Sequence, residues 1–174
     1  MKEKLDLQYI QYDRHNLMND LQLIYGFLQM DRPKDAMDHV KKLIIKLRKE
    51  RKLLKAEVPQ FAYFLLMFNY YNESIRLSYS IKTSRNLRDL DQVLKNDSEQ
   101  FLTIVKRNVP TSELHHITVH LEEISPTEIQ ITFILEDVKL MSTNFKEECQ
   151  RYLHVNNFRL RESDEIYCSW TYIT

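Results

Sequence analysis

Leu7, Ile10, Leu17, Leu21, Ile24 and Leu28 follow one another in alternating steps of three and four, with Arg14 filling the one missing place. That spacing fits one face of an α-helix, whereas a strand would alternate every second residue. It predicts a helix from about Lys4 to Met30, roughly 40 Å long at about 1.5 Å per residue. Asp31-Arg32-Pro33 breaks the pattern, and Pro33 suits the first turn of a second helix. Met37, Val40, Ile44, Leu47 and Leu54 then form a second stripe, widened by Ala36 and Leu43 and ending near Ala56, before Pro59. Two long helices joined by so short a turn make an antiparallel hairpin. A lone hairpin cannot bury both stripes, and no further long amphipathic helix follows. The expectation is therefore a homodimer whose two hairpins form a four-helix bundle across a two-fold axis.

Beyond Pro59 the period changes. Phe61–Tyr71 reads as a short, largely buried helix. Ile75, Leu77, Tyr79 and Ile81 alternate with Arg76, Ser78, Ser80 and Lys82 as in a half-buried strand. Leu87–Arg107 reads as helical, with Asn96 as the place where it would break. Ile117, Val119 and Leu121 alternate again, as do Ile129, Ile131 and Phe133 after a turn at Ser125-Pro126. Phe145, Cys149, Tyr152 and Leu153 suit an amphipathic helix. Phe158–Arg161 and Ile166–Ile173 suit a closing hairpin that turns at Ser163-Asp164. The fold class is thus α+β: a helical hairpin over residues 1–57 and a sandwich of helices on a sheet over residues 58–174.

Charge supports the same division. Residues 1–56 carry 13 basic against 8 acidic side chains, and residues 57–174 carry 12 against 17. The totals balance, so no overall field favours nucleic acid or membrane. The charged N-terminus lacks the apolar core of a secretory signal, and no apolar run is long enough to span a bilayer. Cys149 and Cys168 have no metal or redox spacing, and reduced thiols in a cytoplasmic protein are the simplest reading. Gly26 is the only glycine in 174 residues, and it lies inside the first helix. Loops that cradle nucleotide phosphates need several glycines, so that backbone N–H groups can approach the oxygens. A glycine-rich phosphate loop is excluded, which argues against an ATP-using or dinucleotide-dependent enzyme and predicts no bound cofactor.

His15 lies one step off the apolar stripe, on the solvent side, in the heptad position of Gln8, Gln22 and Gln29, with Asn19 four residues on. It is not a core residue. Imidazole, with an ordinary pKa near 6.5, offers a neutral nucleophile at cytoplasmic pH. An exposed position on a rigid helix would let the acyl phosphate of a partner approach it in line. Position alone fits a solvated surface histidine as well. Arg14 could hold phosphate oxygens, and its place in the stripe also suits a buried stem with a snorkelling head.

The segment RHNLMNDLQLIYGFLQM, through Arg14, His15, Asn19, Leu21, Gln22, Ile24 and Gly26, resembles the phosphoacceptor helix of the sporulation initiation phosphotransferases of spore-forming bacilli. More loosely it resembles sensor kinases that read R-H-D-x-x-N-x-L-Q-x-I-x-G-L. PQFAYFLLMFNYY, Pro59–Tyr71, looks like the opening of that phosphotransferase's second domain. The resemblance implies a dimeric hairpin that relays a phosphoryl group through His15, with Arg14 and Asn19 in support. Donor and acceptor would be aspartates of two response regulators in the control of sporulation, and Mg²⁺ would come with the regulators. It also implies a second domain like a histidine-kinase ATPase domain without nucleotide binding. Consistently, Asp137 is followed by Val138-Lys139-Leu140 where the kinase fold has Asp-x-Gly-x-Gly. Asn16 stands where an acidic residue usually follows the histidine. In kinases that acid is thought to assist attack on ATP, and its absence fits a chain without kinase activity. Leu17 replaces a more usual aromatic.

His115, His116 and His120 raise a zinc reading, but His116 and His120 would share the outer face of a strand, where a closed site needs further ligands. His39 reads as an ordinary surface or boundary residue. The basic run Lys41, Lys42, Lys46, Arg48, Lys49, Arg51, Lys52 and Lys55 suits a solvated helical face, or electrostatic steering of an acidic regulator. It lacks the aromatic platform or reading helix of a nucleic-acid interface. The alternative from another class is a non-catalytic dimerisation and docking module that binds response regulators. A sensor-kinase fragment is disfavoured by the missing glycines.

Overall fold

The computed structural model describes residues 2–136, 138, 140, 144–152, 159–162 and 165–174, with backbone only for 2–6, 8, 9, 152, 161 and 162. The expectations for Asp137, Lys139, Leu153, Phe158 and the Ser163-Asp164 turn lie outside the described residues. The chain forms two compact units, Met1–Arg51 and Lys52–Thr174. Among the described residues no helix is long and apolar enough to cross a membrane.

In the first unit α1 (Lys2–Gln29) is followed by α2, which runs from Pro33 to Lys55. The turn between them is closed by the backbone. Asp31 is left-handed (φ 55°), its N–H bonds the Leu28 carbonyl at 3.2 Å, and the Arg32 N–H reaches back to Phe27 at 2.9 Å. These are the two bonds of a Schellman motif, with aspartate in the place glycine usually takes. Pro33 then opens α2 with φ already set. The Arg32 guanidinium lies over the Phe27 ring at 5.2 Å and bonds Asp35 at 2.8 Å, so the turn is also held by side chains.

The two helices share polar contacts. On α1 the half-buried stripe is Asp13, Asn16, Asp20, Ile24 and Phe27; on α2 it is His39, Val40, Leu43 and Glu50, with Ala36 buried. His39 Nε2 lies 2.9 Å from Asp20 Oδ1, and Lys46 Nζ is 4.0 Å from its other oxygen. The apolar stripe sits elsewhere on α1, roughly 90° around at about 100° per residue. Leu7, Ile10, Leu17, Leu21 and Leu28 remain between 41 % (Leu17) and 60 % (Leu7) exposed, and Ile24 alone of its apolar members is half-buried toward α2. Ile44, Leu47, Met37 and Ile45 of α2 are also exposed.

The second unit contains α3 (Pro59–Tyr71), β1 (Ile75–Lys82), a 3₁₀ turn at Arg88–Leu90, α4 (Asp91–Asn108), β2 (His115–Ser125), β3 (Glu128–Glu136), α5 (Phe145–Tyr152), β4 (Arg159–Glu162) and β5 (Ile166–Ile173). α4 is unbroken at Asn96, whose side chain accepts a bond from Gln92, one turn back, instead of competing for the backbone. The sheet order is β1-β2-β3-β5-β4. β1 and β2 are parallel, joined by the α4 crossover that a parallel pair requires, and the remaining pairs are antiparallel. Alternation places Ile117, Val119, Leu121, Ile129, Ile131, Phe133, Cys168 and Trp170 on the buried face. There Phe101 of α4 meets Phe133, Trp170 and Phe145 at ring separations of 4.6, 5.5 and 6.2 Å. The Trp170 indole N–H donates to the Tyr172 hydroxyl, which donates to Asp97, so the buried polar ends are satisfied. Burial, first, holds that phenol above its ordinary range.

Two side chains, Asp91 and Asn69, hold the helices in place with two hydrogen bonds each. Val58 offers α3 no capping oxygen, and Asp91, only 5 % exposed, accepts the N–H groups of Gln60 and Phe61 at 3.1 and 2.9 Å. Its charge faces the positive end of the α3 dipole. Asn69 of α3 bonds both the N–H and the carbonyl of Leu77 at 2.7 and 2.9 Å, closing the free edge of β1 against other strands.

Candidate phosphoacceptor site

His15 lies midway along α1, and its ring is exposed. It points roughly 140° away from the stripe that meets α2, at about 100° per residue. Asn19, one turn on, brings its amide nitrogen to 3.3 Å from Nδ1 of the ring. Among the described residues no protein group bonds Nε2, the atom farther from the backbone. The helix therefore holds the ring by its near nitrogen and presents the far one to solvent.

Arg14 is exposed and forms no ion pair with a described carboxylate, so its guanidinium is available beside His15 and its stem is not buried in this chain. Asn16, at the position following the histidine, is half-buried on the α2 side. Asn19 is thus the amide that reaches the ring, and Asn16 is not. His39 is the other histidine of the hairpin, half-buried and engaged with Asp20. Deeper along the same contact, the Glu50 carboxyl is held above its ordinary value, first by burial. Lys46 opposes that shift and Asp13 adds to it.

The three histidines of the zinc reading are separated by the fold. His115 is buried, and its Nε2 bonds the Pro110 carbonyl at 2.7 Å, while His116 and His120 lie on the opposite face of β2. Cys149 and Cys168 are both buried as free thiols. Burial, reinforced by the Glu148 charge, pushes Cys149 up to about 12. Such a thiol supplies no thiolate near neutral pH. Among the described residues no three His, Cys, Asp or Glu side chains converge on a point.

Residues 3–56 match the family described as Sensor kinase SpoOB-type, alpha-helical domain, and residues 57–167 match Sporulation initiation phospho-transferase B, C-terminal. The chain belongs to the SpoOB-type sporulation initiation phosphotransferases. Arg14, His15 and Asn19 lie within the helical-domain match. Sporulation initiation phosphotransferase B of Bacillus subtilis (strain 168) is 26 % identical over 124 residues, 71 % of this chain and 65 % of that protein. The match therefore spans just under two thirds of that relative's length. Among solved structures, the chain is similar to the Erythrobacter litoralis EL346 blue-light activated histidine kinase, with a TM-score of 0.48 and 12 % identity, over 96 % of this chain and 59 % of that one.

Sequence reasoning missed the Asp20–His39 pair, the Asp91 cap and the Asn69 clamp. One signal for the cap was present: Pro59 opens a helix behind Val58, a residue that cannot cap, so two orphan N–H groups needed an acceptor from elsewhere. The inward parity of His115 with Ile117 and Val119 was legible too.

Proposed function

We propose that this chain is a phosphorelay phosphotransferase. It moves a phosphoryl group from the aspartate of one response regulator to the aspartate of a second, through a phosphohistidine on His15, in the control of sporulation initiation. The observation that carries the reading is the exposed His15 ring, held at Nδ1 and open at Nε2, within the helical domain of this family. Transfer between aspartyl phosphate and imidazole needs positioning and charge neutralisation more than protein covalent chemistry. Arg14 supplies one cation to the phosphoryl oxygens. Mg²⁺ comes with the regulator's acidic site, and the chain binds no cofactor of its own.

The active form is a homodimer in the cytoplasm. The exposed apolar stripes of α1 and α2 support this, since faces of that size are covered in a stable protein, and a second hairpin covers them with the same residues on both sides. Residues 1–57 then serve dimerisation and phosphoryl transfer, and residues 58–174 form the domain resembling a kinase ATPase domain without its nucleotide loops. The chain takes its phosphate from regulators and not from ATP, and neither nucleic acid nor membrane enters the reaction.

The test is to mix the protein with a radiolabelled phosphorylated response regulator and Mg²⁺. Acid-labile, alkali-stable label on this chain is expected. Binding of the regulator without label would favour the docking-module alternative.

A further inference from the structure

We infer that Gly26 is a clearance residue for the response regulator that docks over His15: it leaves out a side chain where the regulator's backbone comes close to α1. The inference rests on the carrier reading of His15, since whatever delivers a phosphoryl group to that ring sits on its face of the helix. Gly26 is the only glycine of the chain and stands in the last turn of α1. Glycine in a helix lowers the folded-to-unfolded ratio roughly fivefold relative to alanine. Neither conformation nor packing within the described residues offsets that loss. Gly26 has no positive φ, and its carbonyl accepts the Met30 N–H at 3.1 Å, as in regular helix. The left-handed residue that ends this helix is Asp31, the place glycine usually takes. Outside the adjoining residues and the local helix backbone, a Cβ built at Gly26 would meet no atom within 4 Å.

The gap lies on the face that matters for transfer. Gly26 follows His15 by about three turns, about 20° around the helix and about 16 Å along it. Gln11, Asn19, Gln22 and Gln29 are exposed on the same face, and none of them is charged. The charges of this stretch stand elsewhere: Asp13 and Asp20 are half-buried toward α2, and Arg14 lies on the apolar stripe. Gly26 is turned roughly 140° from Leu21, so a second hairpin on that stripe does not account for it. Amide side chains both donate and accept hydrogen bonds. An uncharged amide face with one gap in it fits a partner that presents main-chain groups and small side chains, not one held by ion pairs. The regulator's acidic site sits over His15, and the same regulator reaches along α1 to residue 26, where a side chain would hold its backbone off.

The test compares Gly26→Ala and Gly26→Leu with the wild type, each as the full chain. Urea melts of helicity should show Gly26→Ala to be more stable than the wild type. The second measurement is a calorimetric titration with the response regulator of the labelling assay, held in its phosphorylated form by beryllofluoride and Mg²⁺. The dissociation constant should rise roughly fivefold or more in Gly26→Ala and further in Gly26→Leu, the size of an overpacked contact. Transfer should follow as a higher KM with kcat nearly unchanged. Regulator binding in Gly26→Leu equal to that of the wild type would overturn the inference. So would a Gly26→Ala protein less stable than the wild type, since the glycine would then serve the chain's own fold. Loss in Gly26→Leu of a dimer that the wild type forms, by ultracentrifugation, would assign the gap to a second hairpin instead. A wild type that binds the regulator, with binding weakened by Gly26→Leu, yet takes up no label would overturn the carrier reading and leave the clearance role standing.

Discussion

The two units of this chain solve the burial problem in opposite ways. The C-terminal unit interleaves Phe101, Phe133, Phe145 and Trp170 between helices and sheet, all with 2 % exposure or less. Between its helices the hairpin sets Asp20, His39 and Lys46 beside a few half-buried apolar residues, Ile24, Phe27, Val40 and Leu43, and it leaves Leu7, Ile10, Leu21, Leu28, Ile44 and Leu47 exposed. One unit holds its core within itself. The other has the right apolar residues in the right period but keeps them on a face that its own chain does not cover. On the proposed reading, that exposed face is the one a second hairpin covers. The difference teaches that in this hairpin most of the apolar stripe of α1 lies away from the face that meets α2.

The largest effect should come from Leu21→Asp. In the single chain Leu21 is 49 % exposed, and its loss there would cost little. In a two-fold bundle the substitution places two unpartnered carboxylates in one core, at a cost on the order of several kcal/mol. Analytical ultracentrifugation at micromolar concentration should show a dimer for the wild type and a monomer or melted hairpin for the variant. A variant that remains dimeric and helical would break the comparison.

Phe101→Ala acts on the other side of it. Removing a ring in contact with three others should cost about 3–5 kcal/mol, visible as a drop in the urea midpoint followed by tryptophan fluorescence of Trp170. A loss below about 1 kcal/mol would mean that this core is not the closed one described.

Asp91→Ala removes the acceptor of two backbone N–H groups at the start of α3 and should cost about 1–2 kcal/mol. The same probe reports it, and Asp91→Asn should recover part of the loss. Equal losses in both variants would show that the charge, and not the acceptor geometry, is what matters.

The smallest effect concerns Glu50. Because burial raises its folded value, the folded hairpin binds that proton more tightly than the unfolded chain does. Its contribution is fully present below the ordinary carboxylate value and is lost as pH rises through the raised one. Glu50→Gln should therefore be the more stable protein at pH 7, by less than about 0.5 kcal/mol given partial exposure. The advantage should vanish as pH falls toward 4, in paired urea melts of helicity.

Much of this was legible in the sequence, for physical reasons that also explain the gaps. The strands were readable because one sheet face is buried, so that burial and side-chain period coincide at Ile75–Ile81, Ile117–Leu121 and Ile129–Leu135. The hairpin was readable from its 3.6 period and from Pro33. His15 was legible as exposed, since it sits off the stripe. What escaped were bonds between residues distant in sequence: Asp91 to Phe61 spans 30 positions, and Asp20 to His39 spans 19. Local pattern has no access to such pairs. The break foreseen at Asn96 failed because an asparagine bonded to its neighbour one turn away leaves the helix backbone intact.

The most direct measurement concerns His15 itself. The wild type and His15→Gln are each incubated with a radiolabelled phosphorylated response regulator and Mg²⁺, and the label on the chain is tested for acid lability and alkali stability. If His15 carries the phosphoryl group, the wild type takes up acid-labile, alkali-stable label, and His15→Gln, equally folded because the ring is exposed, takes up none. Label retained by His15→Gln, or absent from a folded wild type that binds the regulator, would contradict it.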